Sequence, residues 1–272
     1  MSIQPRHLIL KLMLGAQGSA LSARAAVASC ALFGIRENSV RVALVRLSAA
    51  GMIEAAGRGS YRIGPSAAQL ADDVRTWRTA ESRVRKWSGA FVAVHTAALG
   101  RTDRGALRQR ERALELLGFR ELSQDLFVRP DNLVGGVGAV RERLMKLGLD
   151  AGALVFLASE LGPDHARGVH DLWDGQALTK SYQQTRGRLE KWLARAPKLD
   201  LDVAARECFL MGNDAIRQVV FDPLLPDPLV SADERRAFVE TVLRYDRAGQ
   251  TIWRRFLQPL LGDAAESALQ AH

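Results

Sequence analysis

The chain has 272 residues, 47% of them hydrophobic and 25% charged, enough to build two or three cored domains and too long for a minimal nucleic-acid-binding module. Its formal charge of +8 is unevenly placed, because residues 1–88 hold 13 Lys and Arg against 5 Asp and Glu while residues 89–272 hold 25 of each. The N-terminal third alone is therefore expected to meet a polyanion, with nucleic acid the first candidate and an acidic membrane surface the second. No apolar run approaches the roughly eighteen residues that span a bilayer, and MSIQPRHLILKLMLG has no signal-peptide cleavage pattern, so a cytoplasmic protein is expected. Cys30 and Cys208 are too few and too far apart for a metal site and read as buried small apolar residues.

In chain order, Pro5 to Leu14 opens on a helix-starting proline and continues with the apolar stripe Leu8, Ile9, Leu12 and Met13. Gly15 to Ser19 is a turn. A second helix runs from Ser22 as cap to Phe33, with Gly34 suited to the left-handed position that ends it. Ile35 to Gly51 is the next helix, and Arg36 is a poor cap for it. On a helical wheel Val40, Ala43, Leu44 and Leu47 share one side; Asn38, Arg41, Val42, Val45 and Arg46 share the other, flanked by Ser39. The second face suits the DNA major groove: Arg binds guanine bidentately, Asn does the same to adenine, and a small apolar side chain touches a thymine methyl. Taken alone it equally fits a solvated helix surface. Two helices joined through a short glycine-containing turn make a helix-turn-helix. Met52 to Ala55 and Tyr61 to Ile63 then form a hairpin around Gly57-Arg58-Gly59-Ser60, the position of a wing, with Arg58 at its tip able to reach phosphate or the minor groove. Pro65 to Lys86 is expected to be a linker helix, its charges lying along DNA or simply in solvent.

The wording GIRENSVRVALVRLSAAGMIEAAGRGSYRI resembles the phenylacetate-degradation repressor (PaaX) family of bacterial transcriptional regulators. The likeness continues through KWSGAFVAVHTAAL and RGALRQRERALELLGFRELSQDLFVRP, similar to that family's ferredoxin-like, Cas2-like middle domain. It extends to DLWDGQALTKSYQQ and VFDPLLPDPLV, similar to its helical last domain with the signature Asp222, Pro223, Leu224, Leu225 and Pro226. The resemblance implies an α+β chain with a winged helix-turn-helix at 1–64, a linker helix at 65–88, a ferredoxin-like middle domain at 89–165 and a helical domain at 166–272. The middle segment, read independently, gives strand, helix, strand, helix, strand: Ala90 to Thr96, Arg104 to Leu117 closed by Gly118, Phe127 to Arg129, Leu133 to Leu147 closed by Gly148, and the buried-looking Ala153 to Ser159. Residues 171–272 read as mostly helical, with Asp222 to Pro228 a rigid turn.

An enzyme of the Cas2-like metal-dependent nuclease kind is the alternative. The first strand of that segment, however, ends with His95 and Thr96 where a carboxylate is wanted for Mg2+, and nothing in the spacing brings Asp103 to it. His165 and His170 have no clustered partners for zinc. Gly135-Gly136-Val137-Gly138 lacks the Lys and Ser or Thr of a P-loop and reads as a turn or irregular helix start, and no Gly-x-Ser-x-Gly occurs. No catalytic residue, metal or cofactor is expected. One recognition helix reads too few base pairs for a selective site, so a homodimer on an inverted-repeat operator in double-stranded DNA is expected. The resemblance further implies release from DNA by an aryl- or acyl-coenzyme A thioester, typically phenylacetyl-CoA. Cations for its phosphates and an apolar slot are offered by Trp173, Tyr182, Arg186, Arg188 and Trp192, with Tyr182, Arg186 and Leu189 on one helix face and Arg188 and Trp192 on another. Ordinary helix packing accounts for the same residues.

Overall fold

Pro5, whose fixed φ suits the first turn of a helix, starts α1 (Pro5–Gly15). The computed structural model describes residues 4–15, 19–68, 76–100 and 102–260, and the chain divides into two units. The first joins Met1–Arg78 to Leu189–Ile216 and Val242–His272.

In that unit, β1 (Leu21–Ser22) leads into α2 (Ala23–Ala31), whose N-terminus is capped by Ser22: its Oγ accepts from the Ala25 amide at 3.1 Å. Gly34 turns the chain at φ +70°, the left-handed conformation that favours glycine. Then comes α3 (Glu37–Ala49), whose cap position, Arg36, makes no side-chain capping bond. Its buried residues are Val40, Ala43, Leu44 and Leu47, and they close on Leu8, Ile9 and Met13 of α1 and on Ala26 and Cys30 of α2. An antiparallel sheet of order β1-β3-β2 completes this core, with β2 (Ile53–Gly57) and β3 (Ser60–Ile63) forming the expected hairpin. The two-residue β1 has no sequence signal of its own; it forms because Leu21 and Ser22 find Tyr61 and Ser60 opposite them.

The later segments of this unit are helical. Trp192 lies 4.8 Å from Tyr245 between ring centroids, and the Tyr245 hydroxyl donates to the Cys208 carbonyl at 3.2 Å. Both cysteines are free and buried, and burial pushes their thiols up, to about 11 at Cys30 and about 12 at Cys208. The linker differs from expectation. Residues 65–67, 77–79 and 81–83 are short 3-10 turns and Val84 pairs with Leu133 in an isolated bridge, so the described residues hold no continuous helix up to Lys86. Arg85 shows why: its backbone amide and its guanidinium are both drawn into contacts with Asp131, Asn132 and Leu133, which a helix would forbid. Residues 69–75 of the expected helix lie outside those described.

The second unit joins Thr79–Arg188 to Arg217–Thr241. Its antiparallel sheet has the order β5-β6-β4-β7, built from β4 (Phe91–His95), β5 (Arg120–Ser123), β6 (Leu126–Pro130) and β7 (Leu154–Ala158). Between them run α4 (Arg104–Leu116) and α5 (Gly136–Lys146), so chain order is strand, helix, strand, strand, helix, strand. Val92, Val94 and Val155 pack on one face of the sheet against Ala113, Leu114, Val140 and Leu144 of the two helices. Asp103 is the N-cap of α4, accepting from the Gly105 and Ala106 amides. Gly135, at φ +83°, begins α5, so the glycine cluster is a helix start.

Two expectations are corrected here. Arg120–Ser123 is an additional strand, missed because its residues are mostly exposed and polar at the sheet margin. The stretch around β7 is not a buried strand: it lies at the other margin, and Leu154, Phe156 and Leu157 are 61%, 42% and 50% exposed.

The rigid turn at Asp222–Pro226 is lodged among buried polar side chains of this unit. Irregular backbone taken out of water must find donors for its carbonyls. Here Arg129 donates to Pro223, the Asn132 amide donates to Leu224 at 2.6 Å, and Arg235 donates to Leu225. Asp222 accepts from the Leu224 amide at 2.7 Å, while Arg235 is also paired with Glu81 at 2.9 Å. Burial lowers Arg129 to about 10, with Asp131 opposing and Arg83 adding to the shift, so the guanidinium remains charged near neutrality. Gly118 sits against this turn: at φ +73° its carbonyl accepts from the Trp173 indole at 2.9 Å, and an added Cβ would lie 2.6 Å from Pro223 Cβ. Gly118→Ala should therefore cost about 2–5 kcal/mol, combining left-handed strain with overpacking, read as a lower urea midpoint. Gly187→Ala, where a Cβ meets nothing within 4 Å inside a helix, should leave the midpoint unchanged or raise it.

Candidate nucleic-acid interface

The helix α3 has one orientation available to it. Val40, Ala43, Leu44 and Leu47 are buried at 0%, 7%, 3% and 5% exposure, which leaves Asn38, Ser39, Arg41, Val42, Val45 and Arg46 all exposed on the opposite side. Val42 and Val45, at 45% and 68% exposure, are large apolar side chains with no packing role of their own. The structure thus brings the six expected residues onto one surface. Arg41 is held by Glu37 one turn earlier at 2.6 Å, but with both side chains more than half exposed this pair contributes only about 0.3–0.5 kcal/mol and a phosphate or base can displace it. Arg46 stands in the last turn, where the helix dipole favours a cation, and has no partner among the described residues.

The hairpin supplies the seventh residue. Glu54 pairs with Arg62 across the strands at 2.7 Å, in register, and Arg58 is left at the tip between Gly57 at φ +136° and Gly59 at φ +68°. The Ala23 amide donates to the Gly59 carbonyl at 2.8 Å, so the tip is tied to the start of α2. Among residues 4–68 only Glu37 and Glu54 are acidic, and both are occupied by Arg41 and Arg62. Arg24, Arg36, Arg46 and Arg58 are exposed with no ionic partner among the described residues. Such an unbalanced set of cations is electrostatically suited to a polyanion.

The five residues expected at an effector stand differently. Trp173, Tyr182 and Trp192 are buried at 5%, 1% and 2% exposure. The Trp173 indole donates to Gly118, Tyr182 stacks on Phe238 at 5.5 Å, and the Trp192 indole donates to Glu207 at 2.8 Å. Trp192 is buried in the first unit, along with Leu189; Trp173 and Tyr182 belong to the second. Along α6 (Gly175–Arg195) Tyr182, Thr185, Leu189 and Trp192 are all buried, so Trp192 follows Tyr182 along the packed stripe and not Arg188, which is exposed. Arg186 is paired with Glu234 at 2.8 Å.

No group of three or more His, Cys, Asp and Glu able to hold a metal ion occurs among the described residues. His95 is half-buried at the end of β4, and Asp103 is spent on capping α4. No helix among the described residues is long and apolar enough to cross a membrane.

Family comparison places these surfaces in context. Residues 4–65 match the PaaX-like protein family and residues 173–255 match the PaaX-like protein C-terminal domain. The chain belongs to the PaaX-like family. PaaX is a family of regulators, and the first match spans α1 through the hairpin while the second includes Asp222–Pro226. Among solved structures the chain is similar to the uncharacterized protein Rv0674 from Mycobacterium tuberculosis, at 25% identity and a TM-score of 0.60, covering 91% of this chain and 99% of that one. No curated protein matches the chain.

The exposed valines separate binding from folding in this PaaX-like protein. Val45→Ala removes no packed side chain and should change stability by less than about 0.5 kcal/mol in urea titration. The same variant should weaken binding to a cognate duplex by about 1 kcal/mol, measured by fluorescence anisotropy, through loss of an apolar base contact.

Proposed function

We propose that the chain is a homodimeric, sequence-specific DNA-binding repressor, with residues 1–64 a winged helix-turn-helix reader. The observation that supports this most is the helix Glu37–Ala49, whose Val40, Ala43, Leu44 and Leu47 are buried while Asn38, Arg41, Val42, Val45 and Arg46 face outward beside a cationic hairpin tip. Membership of a regulator family agrees with it. On this reading α3 enters the major groove, Asn38, Arg41 and Arg46 address base edges, Val42 and Val45 meet thymine methyls, Ser39 contacts the backbone at the groove margin, and Arg58 contacts phosphate.

Residues 65–88 then serve as the linker, residues 89–165 as a ferredoxin-like middle domain and residues 166–272 as a helical domain. The strand-helix-strand-strand-helix-strand order with β4 and β6 central supports the ferredoxin-like reading. Its nuclease relative finds no support at His95, whose strand ends without a carboxylate.

We further propose that an aryl- or acyl-coenzyme A thioester such as phenylacetyl-CoA releases the repressor. Arg188, which is exposed, and Arg186, which is partly exposed and paired with Glu234 at 2.8 Å, supply the cations for its phosphates, with Trp173 and Tyr182 buried in the same unit. Release requires the thioester to favour the arrangement that cannot bind DNA, since equal affinity for both shifts nothing.

Gel shifts with the upstream region of the protein's own operon test both parts. Binding should map to an inverted repeat with half-sites about one helical turn apart, and Arg41→Ala or Arg46→Ala should cost about 1–3 kcal/mol and relax base preference. The thioester, and not the free acid, should lift the protein from that site. A monomer in sedimentation both free and on the operator contradicts the dimer; indifference to thioester and to free coenzyme A at millimolar concentration contradicts the effector.

A further inference from the structure

Arg24 belongs to no motif in the sequence, yet the fold sets it beside the hairpin tip. Ser22 pairs with Ser60, and the Ala23 amide donates to the Gly59 carbonyl at 2.8 Å. Arg24 and Arg58 are therefore each one residue from the same hydrogen bond, although they come from different elements. Both are exposed, and neither has a carboxylate or any other partner among the described residues. No acidic residue occupies the first turn of α2, and the two carboxylates of residues 4–68 are committed to Arg41 and Arg62.

This arrangement is unfavourable in the free protein. Two guanidinium groups repel each other, and Arg24 adds its charge at the end of a helix whose dipole already presents positive charge. A bound anion removes both penalties. Adjacent backbone steps place Cα atoms about 3.8 Å apart, so two long side chains fanning from one hydrogen bond can reach neighbouring phosphates of a single strand.

We propose that Arg24 and Arg58 form a two-arginine clamp on the phosphate backbone of duplex DNA, in which Arg24 anchors the strand and reads no base. The clamp rests on the DNA-binding reading above and adds to it a contact from α2. Register is its role: the hydrogen bond from Ala23 to Gly59 fixes the start of α2 against the hairpin, so phosphate contacts at both orient the intervening reader.

The test uses the full chain, fluorescence anisotropy with an operator duplex and with a scrambled duplex, and a series of salt concentrations. Arg24→Gln and Arg58→Gln should each lower the slope of log affinity against log salt by about 0.9, and the double variant by about twice that. Arg24→Lys should keep the slope, and Arg236→Gln, which alters an exposed ion pair with Asp233, should leave it unchanged. The ratio of operator to scrambled affinity should stay constant in Arg24→Gln, and its thermal midpoint should equal or exceed that of the unsubstituted protein. A slope unaltered by Arg24→Gln in a protein that does bind duplex overturns the clamp and leaves the DNA reading standing. Failure of the unsubstituted protein to bind any duplex, with binding instead to vesicles rich in anionic lipid, overturns the DNA reading itself.

Discussion

Four side chains decide which way the reader points. Val40, Ala43, Leu44 and Leu47 lose nearly all contact with water against α1, α2 and Ile53. Burying a Val or Leu side chain is worth about 1.5–3 kcal/mol, so rotating α3 by half a turn would forfeit several kcal/mol and drive Arg41 and Arg46 into a core with no carboxylate to receive them. The outward face is thus a consequence of the inward one. Its cations are then unbalanced, because the only two acidic residues of 4–68 each hold one arginine, while Arg24, Arg36, Arg46 and Arg58 have no ionic partner among the described residues. Packing orients the helix, and charge selects what it meets.

A different constraint governs the second unit. The turn Asp222–Pro226 is buried without regular secondary structure, and side chains from two separate stretches satisfy its carbonyls: Arg129 and Asn132 from one, Arg235 from the other. Burial holds the Asp222 carboxyl above the usual carboxylate range, while its bond from the Leu224 amide and the nearby Arg235 pull it back. A network of this kind favours one arrangement to the extent that its members are paired, and the turn it holds lies within the stretch that matches the PaaX-like protein C-terminal domain.

Legibility followed the physics of each element. The two faces of α3 were readable because a helical period of 3.6 separates them within thirteen residues, and the hairpin because Gly57 and Gly59 punctuate it. Elements defined by partners were not readable. Strand Leu21–Ser22 exists through its pairing with Tyr61 and Ser60, Arg120–Ser123 through its pairing with β6, and the linker leaves helical geometry because Asn132, Leu133 and Asp131 capture Val84 and Arg85. The same reason hid Arg24 and exposed Phe156: sequence spacing cannot show which strand ends a sheet or which helix start meets a hairpin tip. For the effector residues, aromatic and cationic side chains close in sequence fitted both a ligand groove and ordinary helix packing, and Trp173, Tyr182 and Trp192 are committed to internal partners.

Hydrogen exchange of the full chain with and without duplex DNA tests the central claim most directly, because it locates the surface without assuming a binding sequence. Slowed exchange is expected in the segments around Arg36 to Ser48 and Gly57 to Gly59, with residues 89–188 unaffected by the DNA itself. Protection confined to residues 89–188, with the helix Glu37–Ala49 unchanged, would contradict it.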